Sequence, residues 1–432
     1  MTARPRIAVT EYALAAMVVA SVVWAALFFQ QKGFLPQPFV MDTNDTFMDW
    51  FNTAFWANRP GAYDVWRSIY PPLSFVFLDL FSLSGCHLSS PFVARDCDWL
   101  GQATIIGAYA VNVALFWTLF RRNDRATAIP RTIAMALGLP MLFTLERGNL
   151  ILIAMPAFML AHDPMVRAPW VRAMATAATI NFKPYLLLPA LAQLVRREWR
   201  PLELAGIATI ILYLVTLALV GSGTPGEIAS NTANWIVFQG GQVWNEVNYS
   251  TSYAPLLSIR KAAPIPLLDL VPSRLVEGIE YVVPLLIRIS QLVALAALAG
   301  AWLQPRALSH ERVAIMLLGA YLVTQSPGGY TQLFLLFLVL LERWQGFGPK
   351  IAIICTYLLC LVGDVQIASI IDLNTNGWLS GRPVTPSFGL TIGHFLRPGL
   401  IIIILWALSC DAMVRIYHAH ARHRPSPGLA IA

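Results

Sequence analysis

Charged residues are scarce in this chain, and their scarcity excludes a soluble globular protein. Of the 432 residues, 12% are charged and 57% are hydrophobic. About a quarter of the residues in a soluble domain are charged. A soluble protein with so few charged residues could not cover its surface with polar groups. The apolar residues also stand in long blocks, so the composition predicts an integral membrane protein.

Lysine is especially scarce, and the basic residues are spread along the chain. Only four of the 30 basic residues are lysines, and the formal net charge is +7. A basic balance is compatible with nucleic-acid binding, but the arginines stand between the apolar blocks instead of along one soluble face. That pattern is typical of cytoplasmic loops in a membrane protein. The first apolar block is long enough to be a retained span, and no cleavable signal peptide is evident.

About twelve apolar segments are predicted to cross the membrane. A helix needs roughly 20 apolar residues to cross a hydrocarbon core. The predicted spans are residues 12–29, 100–120, 129–145, 149–162, 168–180, 184–196, 202–221, 280–302, 312–325, 330–343, 351–370 and 395–414. Their even number, with arginines before the first and after the last, predicts that both termini are cytoplasmic. Several segments are shorter than a full span, so we expect them to face protein or a cavity instead of lipid.

The predicted fold is a single all-α membrane domain over residues 1–432, a bundle of about twelve transmembrane helices. Residues 31–99 form a first outer, periplasmic loop, residues 222–279 a second outer segment, and residues 415–432 a cytoplasmic tail. Residues 71–84 are apolar but too short to span, so they are interpreted as a half-inserted or interfacial helix. This topology places the first loop outside an inner (plasma) membrane.

The few cysteines show no metal-binding pattern. Among the five, none forms a CxxC motif, and no His/Cys cluster suggests zinc. Cys86 and Cys97 both fall in the first outer loop, where an oxidising compartment would let them pair. An unpaired buried thiol at each position is nearly as compatible with the sequence. No acidic pair is clearly placed for Mg²⁺, so we expect no metal and no cofactor.

Acidic residues are concentrated just after the first span. Asp42, Asp45 and Asp49 would lie on one face of a helix at i, i+3 and i+7. Like charges that close raise one another's pKa, and a raised pKa suits a general base. The alternative for each residue is a solvated interfacial loop. Aromatic residues follow, including Tyr63 and Tyr70, and such rings suit both the membrane interface and sugar stacking.

Several short motifs follow one another in an order that resembles a known family. They are Gly61-Ala-Tyr63, Tyr70-Pro71-Pro72-Leu73, Arg147-Gly148-Asn149, Lys183-Pro184, Asn248-Tyr-Ser-Thr-Ser252 with Arg260, and Ser326-Pro327. Together with an Asp after the first span, they resemble family 87 glycosyltransferases, which are GT-C-type membrane enzymes. The resemblance covers about residues 40–345. It departs after Ser326-Pro327, where Tyr330, Thr331 and Gln332 replace the family's Trp-Asp-His and remove a candidate histidine for the donor phosphate.

The resemblance implies a function and roles for particular residues. The enzyme would move a sugar, usually mannose, from a polyprenyl-phosphate donor to a lipid or glycan acceptor at the outer face of the membrane, with inversion. Asp45 fits the family spacing to Gly61 best and is the expected general base, with Asp42 and Asp49 as alternates. The expected phosphate-binding cations are Arg147, Lys183 and Arg260, and the expected substrate-binding residues are Tyr63, Tyr70, Asn248 and Gln332.

Other interpretations of these residues remain open. A structural ion pair with Glu146 would also explain Arg147, and an interfacial charge pair with Lys261 would explain Arg260. A lipid or polyol transporter would require internal repeats and mid-span ionisable groups, and no clear inverted repeat is present. A lipid-linked glycan ligase or polymerase usually carries its large outer loop late in the chain, whereas the acidic loop here is the first. A non-catalytic scaffold would not require the acids and the outer-turn cations.

Overall fold

The computed structural model describes residues 3–39, 43–163, 165–238, 249–256, 272–325, 327–372 and 374–422. The described chain is mostly helical, as expected where lipid offers no hydrogen-bond partners to the backbone. The first half contains helices α1 Ala3–Lys32, α2 Met48–Ala57, α3 Pro72–Leu80, α4 Pro91–Cys97, α5 Trp99–Asn123, α6 Ala128–Leu137, α7 Leu139–Arg147, α8 Ile151–His162 and α9 Pro169–Phe182. The second half contains α10 Leu187–Ala190, α11 Ala192–Val195, α12 Trp199–Val220, α13 Pro225–Phe238, α14 Ser273–Leu303, α15 His310–Thr324, α16 Gln332–Leu341, α17 Phe347–Leu359 and α18 Gly393–Arg422.

Among the described residues, six helical segments are long and apolar enough to cross a membrane, as expected of a membrane protein. They are Val9–Lys32, Trp99–Asn123, Ala128–Arg147, Trp199–Val220, Ser273–Leu303 and Gly393–Ala421. The first and last helices extend beyond the predicted limits, and α14 begins at Ser273, inside the segment assigned to the second outer region. The remaining predicted spans correspond to shorter helices, so the count of twelve stays a prediction.

The short apolar helix α16 is enclosed by protein. Residues Gln332 to Leu340 of α16 are all buried, whereas only 11% of the apolar window of α12 is buried. A helix that is apolar on every side is expected in the centre of a bundle, and an exposed apolar surface is expected towards lipid. The placement agrees with the expectation that segments too short to span pack against protein.

Two predicted spans are wrong in their extent. The span 351–370 ends as a helix at Leu359, because the apolar run continues into strand β1, Gln366–Asp372, which is rich in β-branched isoleucine. The span 184–196 is broken into a 3₁₀ turn, Pro184–Leu186, followed by α10 and α11. Pro184 and Pro189 lack the N–H groups that a continuous helix would need there.

Four short strands lie between α17 and α18, where an all-α fold was predicted. They are β1, β2 Thr375–Gly377, β3 Arg382–Val384 and β4 Ser387–Thr391. β1 pairs antiparallel with β4, and β2 pairs antiparallel with β3 inside that connection. The turn of the β2–β3 hairpin contacts the loop after α1, since the Trp378 backbone N–H donates to the Thr43 carbonyl over 3.1 Å. We call the end of the bundle that carries α2–α4 and these strands the loop end.

The first loop contains the short helix that was predicted over 71–84. It begins at Pro72, where proline is tolerated in the first turn, and ends at Leu80. α2 packs beside it with Trp50 and Phe51 fully buried. The loop is therefore a folded cap with its own apolar interior.

Cys86 and Cys97 form a disulfide within this cap, which resolves the alternative left open by the sequence. The cysteines are 11 residues apart, so the bond restricts the unfolded chain over a short loop. Next to the bond, the buried His87 ring contacts the Asp98 carboxylate at 2.9 Å.

Removal of the disulfide is expected to destabilise the cap. Replacing both cysteines by serine should lower the free energy of unfolding by about 3 kcal/mol, because the unfolded loop regains conformational freedom. Thermal unfolding in detergent measures the change, with Cys410→Ser as the control for loss of an exposed thiol. Reductant should destabilise the wild type and leave the double variant unchanged. Equal stability of the double variant and the control would contradict a structural role for the bond.

A buried ion pair connects α1 to α6. Glu11 and Arg131 are both buried, and the Arg131 Nη2 donates to Glu11 Oε1 over 2.7 Å. Tyr357 donates its hydroxyl to Glu11 Oε2 over 2.8 Å, and the Trp344 indole N–H donates to Oε1. One carboxylate therefore joins helices from opposite ends of the chain.

Candidate active site

The turn that carries Asp45 is held at the loop end by backbone and side-chain contacts. Phe47 adopts a left-handed conformation with φ 64°, and its N–H donates to the Glu146 carbonyl over 2.7 Å. The Thr46 hydroxyl donates to the Glu146 carboxylate over 2.9 Å. Gly148 lies against this turn, since a Cβ at position 148 would be 3.1 Å from the Phe47 Cα. Glycine therefore lets the end of α7 approach the acidic turn closely.

Asp45 and Asp49 converge on the guanidinium of Arg147. Asp45 forms an ion pair with the Arg147 Nη2, and Asp49 Oδ1 accepts from the same Nη2 over 3.0 Å and from Nε over 3.3 Å. The three side chains are each about one-fifth exposed, so they line an accessible site and are not sealed in the core. The sequence predicted each of these residues for the site, and the structure brings them into contact.

Asn149 completes the arrangement around Asp49. Its amide donates to Asp49 Oδ2 over 2.7 Å, and its side-chain oxygen accepts from the N–H of Ile151 over 3.1 Å at the start of α8. Both oxygens of Asp49 are thus engaged by the Arg147-Gly148-Asn149 turn. Such a fully hydrogen-bonded carboxylate is suited to hold Arg147 in position.

Lys183 brings a second cation towards Asp49. It lies in the turn between α9 and the following 3₁₀ turn, is 7% exposed, and places its Nζ 4.6 Å from the centre of the Tyr70 ring. Among the described residues, no carboxylate lies within 4 Å of its ammonium. Burial lowers the pKa of Lys183 to about 8, and the attraction of Asp49 partly opposes that shift. A buried cation that forms no close ion pair favours an anionic ligand.

An aromatic column leads away from Lys183. Tyr70 stacks on Trp66 with ring centroids 6.4 Å apart, and Trp66 stacks on Trp56 at 6.0 Å. Burial, reinforced by Asp49, raises the pKa of Tyr70, which keeps its phenol protonated and able to donate. Tyr63 donates its hydroxyl to the Tyr70 carbonyl over 3.0 Å. Tyr63 is itself buried, so the geometry favours a positioning role for it.

The segment that departs from the family pattern faces the same site. Tyr330 lies near enough to Asp49 and Arg147 to interact with them electrostatically. Thr331 accepts or donates a hydrogen bond of 3.2 Å with the Tyr185 hydroxyl. Tyr330 and Thr331, in the places of the family's Trp and Asp, therefore bring a phenol and a hydroxyl to this region, and the histidine position itself is occupied by the amide of Gln332.

Gln332 belongs to a neighbouring polar cluster. Its amide donates to the Tyr249 hydroxyl over 2.7 Å, and the Arg397 guanidinium lies 5.0 Å from the Tyr249 ring. Arg397 is ion-paired with Asp364, whose carboxylate also accepts from Thr391 over 2.9 Å. Gln332 is fully buried in this cluster, beside the carboxylate site. The predicted residues Asp42, Asn248 and Arg260 lie outside the described residues.

One residue that holds the acidic turn was not singled out from the sequence. Arg95 in α4 is 2% exposed and donates to the carbonyl oxygens of Asn44 and Thr46, the latter over 3.3 Å. It also lies 4.6 Å from the Trp378 ring. The interfacial position of Arg95 resembles an ordinary surface charge, so only its burial reveals its role.

The arrangement can bind an anion beside a carboxylate base. Arg147 and Lys183 provide positive charge, Asp45 provides a proton acceptor, and the aromatic column provides flat apolar surfaces. Within the described part of the chain, no three His, Cys, Asp or Glu side chains are grouped to hold a metal ion.

Comparison of this chain with protein-family models, with curated proteins and with solved structures finds no match in any of the three. The fold and the geometry of the site describe a helical membrane protein with a carboxylate–cation centre at the loop end.

Proposed function

We propose that the protein is an inverting membrane glycosyltransferase that moves a sugar, with mannose the first candidate, from a polyprenyl-phosphate donor to a lipid or glycan acceptor. The observation that carries the proposal is the buried Lys183 side chain, which packs over the Tyr70 ring, forms no ion pair within 4 Å among the described residues, and is attracted at longer range by Asp49. A phosphate at this place would supply the missing negative charge. The resemblance to family 87 glycosyltransferases supports the choice of a lipid-linked sugar.

The chemistry would be a single displacement. Asp45 takes the proton of an acceptor hydroxyl while that oxygen forms a bond to the anomeric carbon. The bond from the anomeric carbon to the phosphate oxygen breaks, and the polyprenyl phosphate departs with the electron pair. Arg147 and Lys183 stabilise the charge that develops on the departing phosphate. One displacement inverts the configuration at the anomeric carbon.

Donor binding would also prepare the base. Arg147 is shared between Asp45 and Asp49, so a phosphate that enters competes with Asp45 for the guanidinium. Once Arg147 turns towards the phosphate, Asp45 loses a counter-ion and its proton affinity rises. Asp49 keeps Arg147 in place, because Asp49 is itself held by a hydrogen bond from Asn149. The two aspartates would therefore have different roles.

The test is donor consumption by the purified protein. The protein in lipid nanodiscs is incubated with a panel of polyprenyl-phosphate hexoses and candidate acceptors, and the release of polyprenyl phosphate and the glycosylated product are measured by mass spectrometry. Arg147→Gln should abolish both signals, while Arg67→Gln, which changes an exposed arginine of the same loop, should retain them. Absence of donor consumption by the wild type with every acceptor would overturn the proposal. Movement of intact donor across the bilayer without cleavage would favour a flippase instead.

The pH dependence of donor binding should follow Lys183. Its pKa of about 8 lies below the usual value of 10.5, so the ammonium is present below pH 8 and is lost as the pH rises through it. Donor affinity, measured by titration, should therefore fall above about pH 8. Lys183→Arg should move the fall to higher pH, because arginine stays charged there. Lys183→Met should weaken binding roughly tenfold or more and remove the pH dependence. If donor affinity still fell above about pH 8 in Lys183→Met, the pH dependence would belong to another group.

We further propose that the loop end faces the outside of a bacterial inner membrane and that both termini are cytoplasmic. The arginines at the opposite helix ends and the disulfide in the first loop support this orientation. An alkylating reagent that cannot cross the membrane should label a cysteine introduced at exposed Asp64 in intact cells, and should label one at Arg125 only after permeabilisation. The reverse pattern would contradict the orientation.

A further inference from the structure

An open cavity of about 690 Å³ lies between the end of α1 and the inner hairpin β2–β3. Amide, hydroxyl and cationic side chains line most of it, among them Gln31, Lys32, Asn374, Asn376, Arg382 and Thr385. The cavity lies at the end of α1, where Gln31 and Lys32 line it. Its polar lining contrasts with the apolar surface of the rest of that helix. Amides and hydroxyls that can both donate and accept are suited to a ligand with many hydroxyl groups.

Both charged residues of the cavity are cations. No carboxylate is among the described residues that line it, and neither Lys32 nor Arg382 has an ion-pair partner in the described part of the chain. Arg382 packs over Gly33, where a Cβ would lie 2.5 Å from the Arg382 Nε. The guanidinium is thus held at the wall of the cavity by the close approach of a glycine with φ +80°. Two unpaired cations in one polar cavity favour a ligand with negative charge.

The cavity is connected directly to the turn that carries Asp45. The hydroxyl of Thr43 donates to the carbonyl of Asn376 over 3.4 Å, and the Trp378 N–H donates to the Thr43 carbonyl over 3.1 Å. The Trp378 ring also contacts Phe47, with centroids 5.5 Å apart. The hairpin that forms one wall of the cavity therefore packs against the turn that carries the proposed base.

We infer that this cavity binds the acidic or phosphorylated sugar of the acceptor, placing an acceptor hydroxyl on the Asp45 side of the site. The assignment to the acceptor rests on the proposed function, whereas the binding of an anionic sugar rests on the cavity alone. The sugar could be free or attached to a lipid, because the cavity opens where α1 ends.

The experiment measures binding without any transfer reaction. The full-length protein in phosphatidylcholine nanodiscs is titrated with octyl glucuronide, with neutral octyl glucoside and with free glucuronic acid, and empty nanodiscs correct for partitioning into lipid. Octyl glucuronide should bind roughly tenfold more tightly than octyl glucoside, and the difference should shrink at high salt. The double variant Lys32→Gln with Arg382→Gln should lose that preference. Arg274→Gln, which removes another exposed cation, should keep it.

Each outcome decides the inference. Equal affinity for the two octyl glycosides, or a preference that survives in the double variant, would overturn it. Displacement of the glucuronide by phosphatidylglycerol as effectively as by unlabelled glucuronide would also overturn it, because the site would then be a general anionic-lipid surface. Tight binding of free glucuronic acid would support a soluble acceptor, and weak binding would support a lipid-attached one. If the protein bound the glucuronide in a charge-dependent way but consumed no donor, the inference that the cavity binds an anionic sugar would stand. Only the proposed function would be overturned.

Discussion

Replacing Asp45 by asparagine is expected to lower the rate of sugar transfer by roughly 10²- to 10⁴-fold, the usual contribution of a general base. Asparagine retains the size and one acceptor oxygen of the side chain but cannot take a proton. Arg147 would remain held by Asp49, which Asn149 keeps in position, so the donor should still bind. The loss should therefore appear in kcat, with little change in the affinity for the donor.

Asp49→Asn is the matched comparison for this prediction. Asp49 holds Arg147 through two N–H groups, so its loss should release the guanidinium and weaken donor binding as well as turnover. Single-turnover rates and donor titrations on both variants separate the two effects. If Asp45→Asn retained full transfer while Asp49→Asn abolished it, the base would be Asp49 and the assignment of Asp45 would be wrong.

Glu11→Gln is expected to destabilise the protein far more than a conservative change of an exposed carboxylate. The Glu11 side chain is fully buried and accepts from Arg131, Trp344 and Tyr357. A neutral amide leaves the Arg131 guanidinium buried without a counter-charge, and breaking a buried pair in this way costs about 3–5 kcal/mol. Thermal unfolding in detergent should show a loss of several degrees.

A double variant shows whether Glu11→Gln destabilises the protein through an unpaired buried charge or through poorer packing of the side chains. Glu11→Leu combined with Arg131→Met removes both charges and should recover much of the stability, since a buried pair contributes little over well-packed apolar groups. Glu203→Gln, at an exposed position of α12, is the control and should have almost no effect. A loss in Glu11→Gln no larger than in this control would contradict the buried-pair argument.

The positions of the helices could be predicted because the physics of a membrane is restrictive. A backbone in lipid must satisfy its own hydrogen bonds, so a long apolar run implies a helix of similar length. The run that ends α7 at Arg147 and the run that begins α8 at Ile151 follow the prediction within a few residues. The run after Leu359 does not, because its β-branched residues form a strand with the same apolar composition.

The candidate site was predictable in its members but not in its connections. Asp45 and Asp49 belong to the acidic cluster after the first span, Arg147 and Lys183 stand at predicted outer turns, and the structure brings Asp49 close to both cations. The sharing of Arg147 between two carboxylates was not foreseeable, because Asp49 and Arg147 are 98 positions apart in the sequence. The role of Arg95 was missed for the same reason, since a sequence does not show which surface charge becomes buried by a neighbouring loop.

By itself, the sequence determined that this protein belongs in a membrane, where most of its long helices lie and which loop concentrates the acids. These properties follow from local composition, because hydrophobic burial and backbone hydrogen bonding act on each segment separately. The tertiary structure alone decided which charges meet. Glu11 pairs with Arg131, which is 120 positions away in the sequence. A hairpin near the end of the chain packs on the turn of Asp45. Long-range pairing depends on the packing of whole helices, which no local pattern specifies.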